Sequence, residues 1–217
     1  MDERSTGIIL RTRPLTETSV IVHWLTPDFG RLATVAKGAR RPTSPFRGKL
    51  DLFYEADFSF VRSRKSELHV LREVMLRKTH GKLREYLGRI QQASYAAAFI
   101  EQTTETETPL VEMHALLASM LKHLAEGPSV AHSVFAFELK ALAQMGLQPD
   151  WKETQLPPGT CEIARTLTAS DWGAIGRLRL SDAQENQLRQ FLHGFLIYHL
   201  EKLPRGRAAA VGGGSGS

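Results

Sequence analysis

Cysteine, long apolar runs and recognisable leader segments are scarce or absent in this chain of 217 residues. The single cysteine, Cys161, cannot form a disulfide within the chain or supply a thiolate zinc site, which needs several sulfur ligands. No apolar run approaches the roughly 18 residues that a membrane-spanning helix needs. The first residues carry acids at once and lack a basic-then-apolar leader. We therefore expect a cytoplasmic protein with no membrane partner.

Sequence motifs of enzymes are also missing. Neither the Gly48-Lys49 nor the Gly81-Lys82 pair has the glycine spacing of a phosphate-binding P-loop, and there is no dinucleotide-binding glycine pattern, nucleophile-elbow serine or HExxH pair. The eight histidines do not cluster and contain no i, i+4 pair. The sequence thus predicts a protein that is not an enzyme, with no catalytic residues, no bound metal and no cofactor.

Positive charge is concentrated near the amino end. The formal net charge is +5, and residues 1–80 hold 15 Lys and Arg against 9 Asp and Glu. The segment from Arg31 to Lys49 contains six cations and no acid. A solvated charged face would explain such a run, but its asymmetry favours a polyanionic partner.

Residues 1–80 have the pattern of a small β-barrel. Five segments rich in β-branched and aromatic residues are separated by turn signals: GIILRTR, TSVIVHWLT, GRLATVAKG, LDLFYEADFSFV and ELHVLREV. So few short strands are best protected by closure, which removes exposed edges. We therefore predict a five-stranded OB-type barrel that binds nucleic acid.

Residues 81–205 have helical spacing of their apolar positions, which predicts an all-helical carboxy-terminal domain and an α+β fold for the chain. Ser181 and Gln184 form a capping-box signature for the last helix. Proline and glycine between residues 147 and 168 indicate an irregular insertion. Residues 206–217, which end in GGGSGS, are predicted to be a flexible tail.

The basic residues of the barrel form the predicted nucleic-acid site. Arg and Lys neutralise phosphates and release counterions, and small residues between them allow close approach. Phe46 is the preferred platform for a stacked base; Phe29 is a further candidate, and Trp24 is more typical of a core residue. The predicted contacts are Arg11, Arg13, Arg31, Lys37, Arg40, Arg41, Phe46, Arg47, Lys49, Arg62, Arg64 and Lys65.

Two further sets of residues leave alternatives open. An apolar set in the helical domain could take the amphipathic tail of a partner protein, although core packing is the favoured explanation: Phe135, Leu139, Leu142 and Met145. Asp51, Glu55 and Asp57 share one face of the fourth predicted strand and could hold magnesium in a nuclease or strand-transfer enzyme, or could face solvent. An RNA-binding barrel of the translation apparatus is a third possibility.

Residues 7–44, GIILRTRPLTETSVIVHWLTPDFGRLATVAKGARRPTS, closely resemble the start of the bacterial RecO recombination mediators. The shared motifs are the P-x-x-E-x-S turn, the T-P-x-x-G turn and the A-K-G-A-R-R-P-x-S stretch, all in register. The segments SYAAAFIEQ and FELKALAQMGLQPD resemble the helical domain of that family, so the similarity extends over most of residues 1–203.

This resemblance implies an OB fold, a helical domain and binding to single- and double-stranded DNA. It also implies annealing of complementary strands and, with RecR, loading of RecA onto DNA coated by single-strand-binding protein, at the nucleoid. Many members carry a four-cysteine zinc module after a G-x-x-P stretch. Here the corresponding residues 150–172 contain only Cys161, so we expect that zinc site to be lost.

Overall fold

The computed structural model describes residues 2–212. Its amino-terminal part is a closed barrel with the strands in the order β1-β2-β3-β5-β4. Neighbouring strands are antiparallel except for β3 and β5, which run parallel. This five-stranded barrel of OB type, followed by helices, confirms the predicted fold class. The strands are β1 (Asp2–Pro14), β2 (Val20–Thr26), β3 (Gly30–Ala36), β4 (Glu55–Val61) and β5 (Leu68–Lys78).

The long strand β1 closes the barrel. Its first part pairs with β4 and its second part with β2, and the change of partner falls at Ile8, which is paired on both sides. The register with β2 shifts between Ile9 and Arg11, as at a β-bulge. A bulge bends and twists a strand, so β1 can belong to both sides of the barrel and leave no open edge.

The barrel interior is filled by aromatic side chains. The rings of Trp24 and Phe58 stack with centroids 4.1 Å apart, and the Trp24 indole N–H donates to Thr34 Oγ1 at 2.9 Å. Trp24 is fully buried, as expected for a strand tryptophan whose polar atom is satisfied. Burial of each such large side chain contributes about 1.5–3 kcal/mol to folding.

The fourth strand begins later than the sequence pattern predicts. Phe53 has a φ of 64°, which ends extended structure there, and its N–H donates to the carbonyl of Ile9 at 2.8 Å. The Ile9 N–H in turn donates to the carbonyl of Tyr54 at 2.9 Å. Asp51 consequently lies in the approach to the strand, outside β4.

The chain forms two compact units whose boundary differs from the predicted one. Residues 104–118, which the sequence assigns to the helical domain, belong with residues 2–80. Residues 104–110 run beside the start of β3: the Glu107 N–H donates to the Arg31 carbonyl at 2.9 Å, and the Leu110 N–H donates to the Pro27 carbonyl at 3.0 Å. Gly30 has a φ of 62°, and a Cβ there would lie 1.8 Å from the Thr108 oxygen, so the close approach requires glycine.

The second unit, residues 81–103 and 119–212, is helical. Its central helix is α3, which is buried nearly all round and packs against α1, α4, α5, α6 and α7. No helix among residues 2–212 has the length and hydropathy needed to cross a membrane. The helices of the chain are α1 (Leu87–Thr103), α2 (Val111–Glu126), α3 (Ala131–Gln144), α4 (Pro158–Ala169), α5 (Trp172–Arg177), α6 (Asp182–Leu200) and α7 (Arg207–Gly212).

Two predictions about the second unit need correction, and one is confirmed. The predicted irregular segment 147–168 is irregular only up to Pro157, because α4 starts at Pro158, a residue suited to the first helical position. The tail 206–217 begins with α7, whose Arg207 is 6% exposed because it pairs with the buried Glu138; residues 213–217 lie outside the described part. The capping box of Ser181 and Gln184 is present at the start of α6.

Candidate nucleic-acid interface

The outer face of strands β1, β2 and β3 gathers positive charge around one histidine. Arg11 in β1 is paired with His23 in β2, and Arg13 follows two residues later on the same face. The pKa of His23 is lowered from 6.5 to about 4, first by burial and then by the charges of Arg11, Arg13 and Arg31. His23 is therefore neutral at pH 7, and the nearby arginines contribute to this after burial.

The loop between β3 and β4 brings further cations to the same end of the barrel. The Arg40 N–H donates to the Thr18 carbonyl at 3.0 Å, which fixes the loop against the turn that follows Arg13. Lys37, Arg40 and Arg41 are exposed and have no acid partner within residues 2–212. We call Arg11, Arg13, Lys37, Arg40 and Arg41 the basic surface.

Other predicted cations are divided between exposed and engaged positions. Arg47 is exposed in the same loop, where its guanidinium donates to the Pro42 carbonyl at 3.4 Å, and Lys49 is half-buried. Arg64 and Lys65 are exposed in the turn between β4 and β5. Their role in DNA contact stays a prediction.

Arg31 and Arg62 instead hold residues 104–107 to the barrel. The Arg31 guanidinium donates to Thr104 Oγ1 at 2.9 Å and to the Thr104 carbonyl. Arg62 pairs with Glu3 at 2.9 Å and with Glu107 at 2.5 Å. The expectation that these two arginines are available to phosphates is corrected, because Nε and Nη2 of Arg31 and all three guanidinium nitrogens of Arg62 already donate to protein acceptors.

The structure also corrects the choice of Phe46 as a base platform. Phe46 is only 7% exposed and packs with the barrel core, so little of its ring is open to a stacked base. Phe29 is half-buried, packs edge-on against Phe60 and lies under the Arg62 guanidinium at 5.5 Å. The spacing of Phe46 in a polar loop gave no sign that it turns inward, because that depends on tertiary packing.

The three carboxylates of the alternative nuclease site do not form a metal site. Glu55 is 7% exposed and pairs with Lys78 at 3.1 Å. Asp57 accepts from Thr6 Oγ1 at 2.6 Å and from Arg77 Nε at 2.7 Å. These hydrogen bonds, that of Thr6 above all, lower the pKa of Asp57. With Asp51 outside the strand, the grouping that suggested magnesium is wrong.

Residues 2–212 also contain no group of three or more His, Cys, Asp or Glu side chains placed to hold a metal ion. Cys161 lies buried in α4, with its Sγ 3.2 Å from Thr154 Oγ1. A zinc module of the kind implied by the family resemblance does not fit this donor set.

The predicted partner-binding residues of the helical unit form its core. Phe135, Leu139 and Leu142 are at most 1% exposed, and Phe137 beside them packs edge-on against Phe99. Met145 is half-buried at the end of α3. The proposed docking face is therefore wrong, since a peptide could reach these side chains only by unfolding the unit.

One feature of the barrel surface was missed from the sequence. A cleft of about 940 Å³ is bordered by Arg4 in β1, by Arg72 and Met75 in β5, and by Lys49 of the basic loop. Met75 follows the buried Val74, so its outward direction could have been read from strand alternation, whereas Arg72 is exposed because the register with β4 shifts between Leu71 and Glu73. The sequence did not show that β1, β5 and the loop between β3 and β4 together form one cleft.

Known proteins match both units. A family model described as "Recombination protein O N terminal" matches residues 1–80, and one described as "Recombination protein O C terminal" matches residues 84–155. Curated relatives named DNA repair protein RecO include that of Rhodopirellula baltica, 32% identical over 66% of this chain and 53% of the relative. The Pelotomaculum thermopropionicum relative is 28% identical over 92% of this chain and 90% of the relative. The Bacillus subtilis relative is 31% identical over 66% of this chain and 56% of the relative.

The chain thus spans about half the length of some relatives and nearly all of another. A closed OB-type barrel bearing a basic surface, joined to a helical unit, defines a two-part class of OB-fold protein. Within that class, the two matched models cover most of the chain, and it belongs to the RecO family.

Proposed function

We propose that this chain binds single- and double-stranded DNA through the basic surface and acts in DNA repair and homologous recombination as a mediator, without catalysis. Family membership and the relatives' shared name, DNA repair protein RecO, support the pathway. The exposed Arg11 and Arg13, together with Arg40 on the loop that is fixed against the turn after Arg13, carry the assignment of the surface, because they bring several cations together at one end of the barrel.

The physical step is charge neutralisation. Arginines and lysines of the basic surface contact phosphates of one strand and release its counterions, which leaves the base edges free. With its charge reduced, the held strand repels a second strand less, and pairing can nucleate. No covalent bond is made or broken, and no metal or cofactor takes part.

The proposed partners follow from the family. We propose that the protein acts with RecR, that it contacts single-strand-binding protein on coated DNA, and that it thereby helps RecA to load. With these partners, its work would lie in the cytoplasm, on the nucleoid. The helical unit offers them a surface other than Phe135, Leu139 and Leu142, which are buried.

An annealing assay on complementary strands coated with single-strand-binding protein tests this proposal. We expect the full chain to produce duplex faster than the coated strands alone, with a rate that falls as salt rises. Labelled strands should remain uncut with magnesium present. The proposal would be contradicted if the coated strands annealed no faster with the protein than without it. Cleavage of the strands, or a preference for RNA over DNA, would also contradict it.

A further inference from the structure

The cleft on the barrel lies on the first part of β1 and on β4 and β5, whereas the strand residues of the basic surface, Arg11 and Arg13, lie in the second part of β1. It is bordered by residues 4–6 of β1, 57–59 of β4 and 72–75 of β5, together with Pro27, Asp28 and part of the loop between β3 and β4. Its volume of about 940 Å³ is at the upper end of the range for small-molecule sites and is ample for a nucleotide. Oligonucleotides ordinarily bind OB folds on the β2–β3 face, so this is a different location.

The cleft contains carboxylates that are fixed in place. Asp57 is held by Thr6 and Arg77, and its pKa is lowered by those hydrogen bonds, so it is ionised at neutral pH. Asp28 accepts from the Ser5 hydroxyl at 2.5 Å. A carboxylate can accept about four hydrogen bonds, so each retains capacity for further donors. Amino groups of cytosine, adenine and guanine are donors of the kind that carboxylates accept from.

Apolar and cationic side chains at the cleft can contact the base and the phosphate of a nucleotide. Met75 is 66% exposed although it is large and apolar, and its thioether makes favourable contacts with the edges of aromatic rings. Arg4 and Arg72 are exposed, border the cleft and have no acid partner within residues 2–212. Lys49 lies at the cleft on the loop that carries Arg40 and Arg41. Fixed acceptors, a soft apolar wall and cations for phosphate therefore meet in one place, although Glu73 there opposes the cations.

We propose that this cleft binds an unpaired base of single-stranded DNA, with preference for bases that carry an exocyclic amino group over thymine. The inference rests on the proposed function, which supplies the strand, and adds a site that senses whether a base is unpaired. A base in the cleft leaves the stack, so duplex DNA cannot occupy it without flipping. Duplex formation during annealing would therefore release the strand from the cleft.

Methyl NMR of the full chain labelled at methionine tests the cleft directly. The chain has five methionines, and Met75→Leu identifies the Met75 signal by its disappearance. We expect oligo(dC) to shift the Met75 methyl signal, oligo(dT) to shift it less, and an abasic strand of equal length to leave it unchanged. The abasic strand keeps its phosphates and so still binds the basic surface.

Two variants with matched controls extend the test. Asp57→Asn should weaken oligo(dC) binding by about fivefold and leave oligo(dT) binding nearly unchanged, as expected when a hydrogen bond from the base to a charged acceptor becomes a weaker bond to a neutral amide. Met75→Ala should weaken binding of both by a similar factor. The controls are Glu126→Gln, exposed at the end of α2, and Leu87→Ala, 73% exposed at the start of α1, which should bind like the parent.

The outcomes separate the cleft from the proposed function. If DNA binds with a steep salt dependence but the Met75 signal does not move and oligo(dC) is not preferred, the cleft is refuted while the basic surface stands. If no strand binds at all, the proposed function fails and the cleft fails with it. Because the NMR experiment uses the unaltered cleft, misfolding of a variant does not affect its result.

Discussion

The buried ion pair between Glu138 and Arg207 yields the largest stability effect that the structure predicts. Glu138 Oε1 accepts from Arg207 Nε at 2.7 Å and from the Tyr95 hydroxyl at 2.5 Å, and Oε2 accepts from the second guanidinium nitrogen at 2.9 Å. Glu138 is 0% exposed and Arg207 is 6% exposed. The replacement Arg207→Met keeps an unbranched side chain of similar length but removes the positive charge.

The size of the stability loss in Arg207→Met follows from the unpaired charge of Glu138. Removing one partner of a buried pair strands the other charge in a medium of low dielectric constant, at a cost of about 3–5 kcal/mol. Tyr95→Phe removes one hydrogen bond to a charged group and should cost about 1.5–3 kcal/mol. Replacing both members of the pair, with Glu138→Leu and Arg207→Met, should recover most of the loss, since no charge is then buried alone.

Urea unfolding followed by circular dichroism measures these differences. With a slope of about 2 kcal/mol per molar urea, Arg207→Met should lower the unfolding midpoint by roughly 2 M. The control Arg205→Met alters an exposed arginine two residues earlier and should shift the midpoint little. If Arg207→Met and Arg205→Met unfold alike, α7 is not part of the folded unit and the reasoning is refuted.

Three further effects concern the barrel. NMR titration should give His23 a pKa of about 4, and Arg11→Gln should raise that pKa. Because the folded pKa lies below the unfolded value of 6.5, His23 lowers the stability of the fold as the pH falls from about 6.5 towards 4. Above pH 6.5 it has no effect on stability. Gly30→Ala should destabilise the barrel by more than about 2 kcal/mol in the same urea assay, since its φ is 62° and a Cβ would meet Thr108; equal stability would contradict the close approach. Arg62→Gln should cost less than about 1 kcal/mol and change DNA affinity little, because this partly exposed arginine already pairs with two acids; a large loss of affinity would return Arg62 to the interface.

The barrel could be predicted from the sequence because its signals are local. The β-branched and aromatic residues of β2, and the turn of residues 26–30, indicate a strand and its end within a few residues. The capping box at Ser181 is local as well, and it is present. Four predicted cations of the loop between β3 and β4 are exposed, because charged side chains in polar loops seldom turn inward: Lys37, Arg40, Arg41 and Arg47.

The features that were missed depend on residues distant in sequence. Arg62 and Glu107 are 45 residues apart, and Arg31 and Thr104 are 73 apart, so no local pattern shows that these arginines are engaged. Arg207 pairs with Glu138, which is 69 residues earlier in the chain, so the sequence of α7 alone predicts a flexible tail. Phe46 was misplaced for the same reason, since only the closed barrel supplies the apolar interior that accepts it.

The salt dependence of DNA binding tests the central claim most directly. Binding of a single-stranded oligonucleotide is measured over a series of salt concentrations for the parent, for Arg40→Ala with Arg41→Ala, and for the control Arg177→Ala with Arg179→Ala, which removes two exposed charges from the helical unit. Each phosphate contact contributes a slope of about 0.7 in single strands, so the first variant should flatten the plot of log affinity against log salt by roughly one to two units. The control should keep the parent slope. Equal slopes for the parent and the Arg40, Arg41 variant would contradict the account.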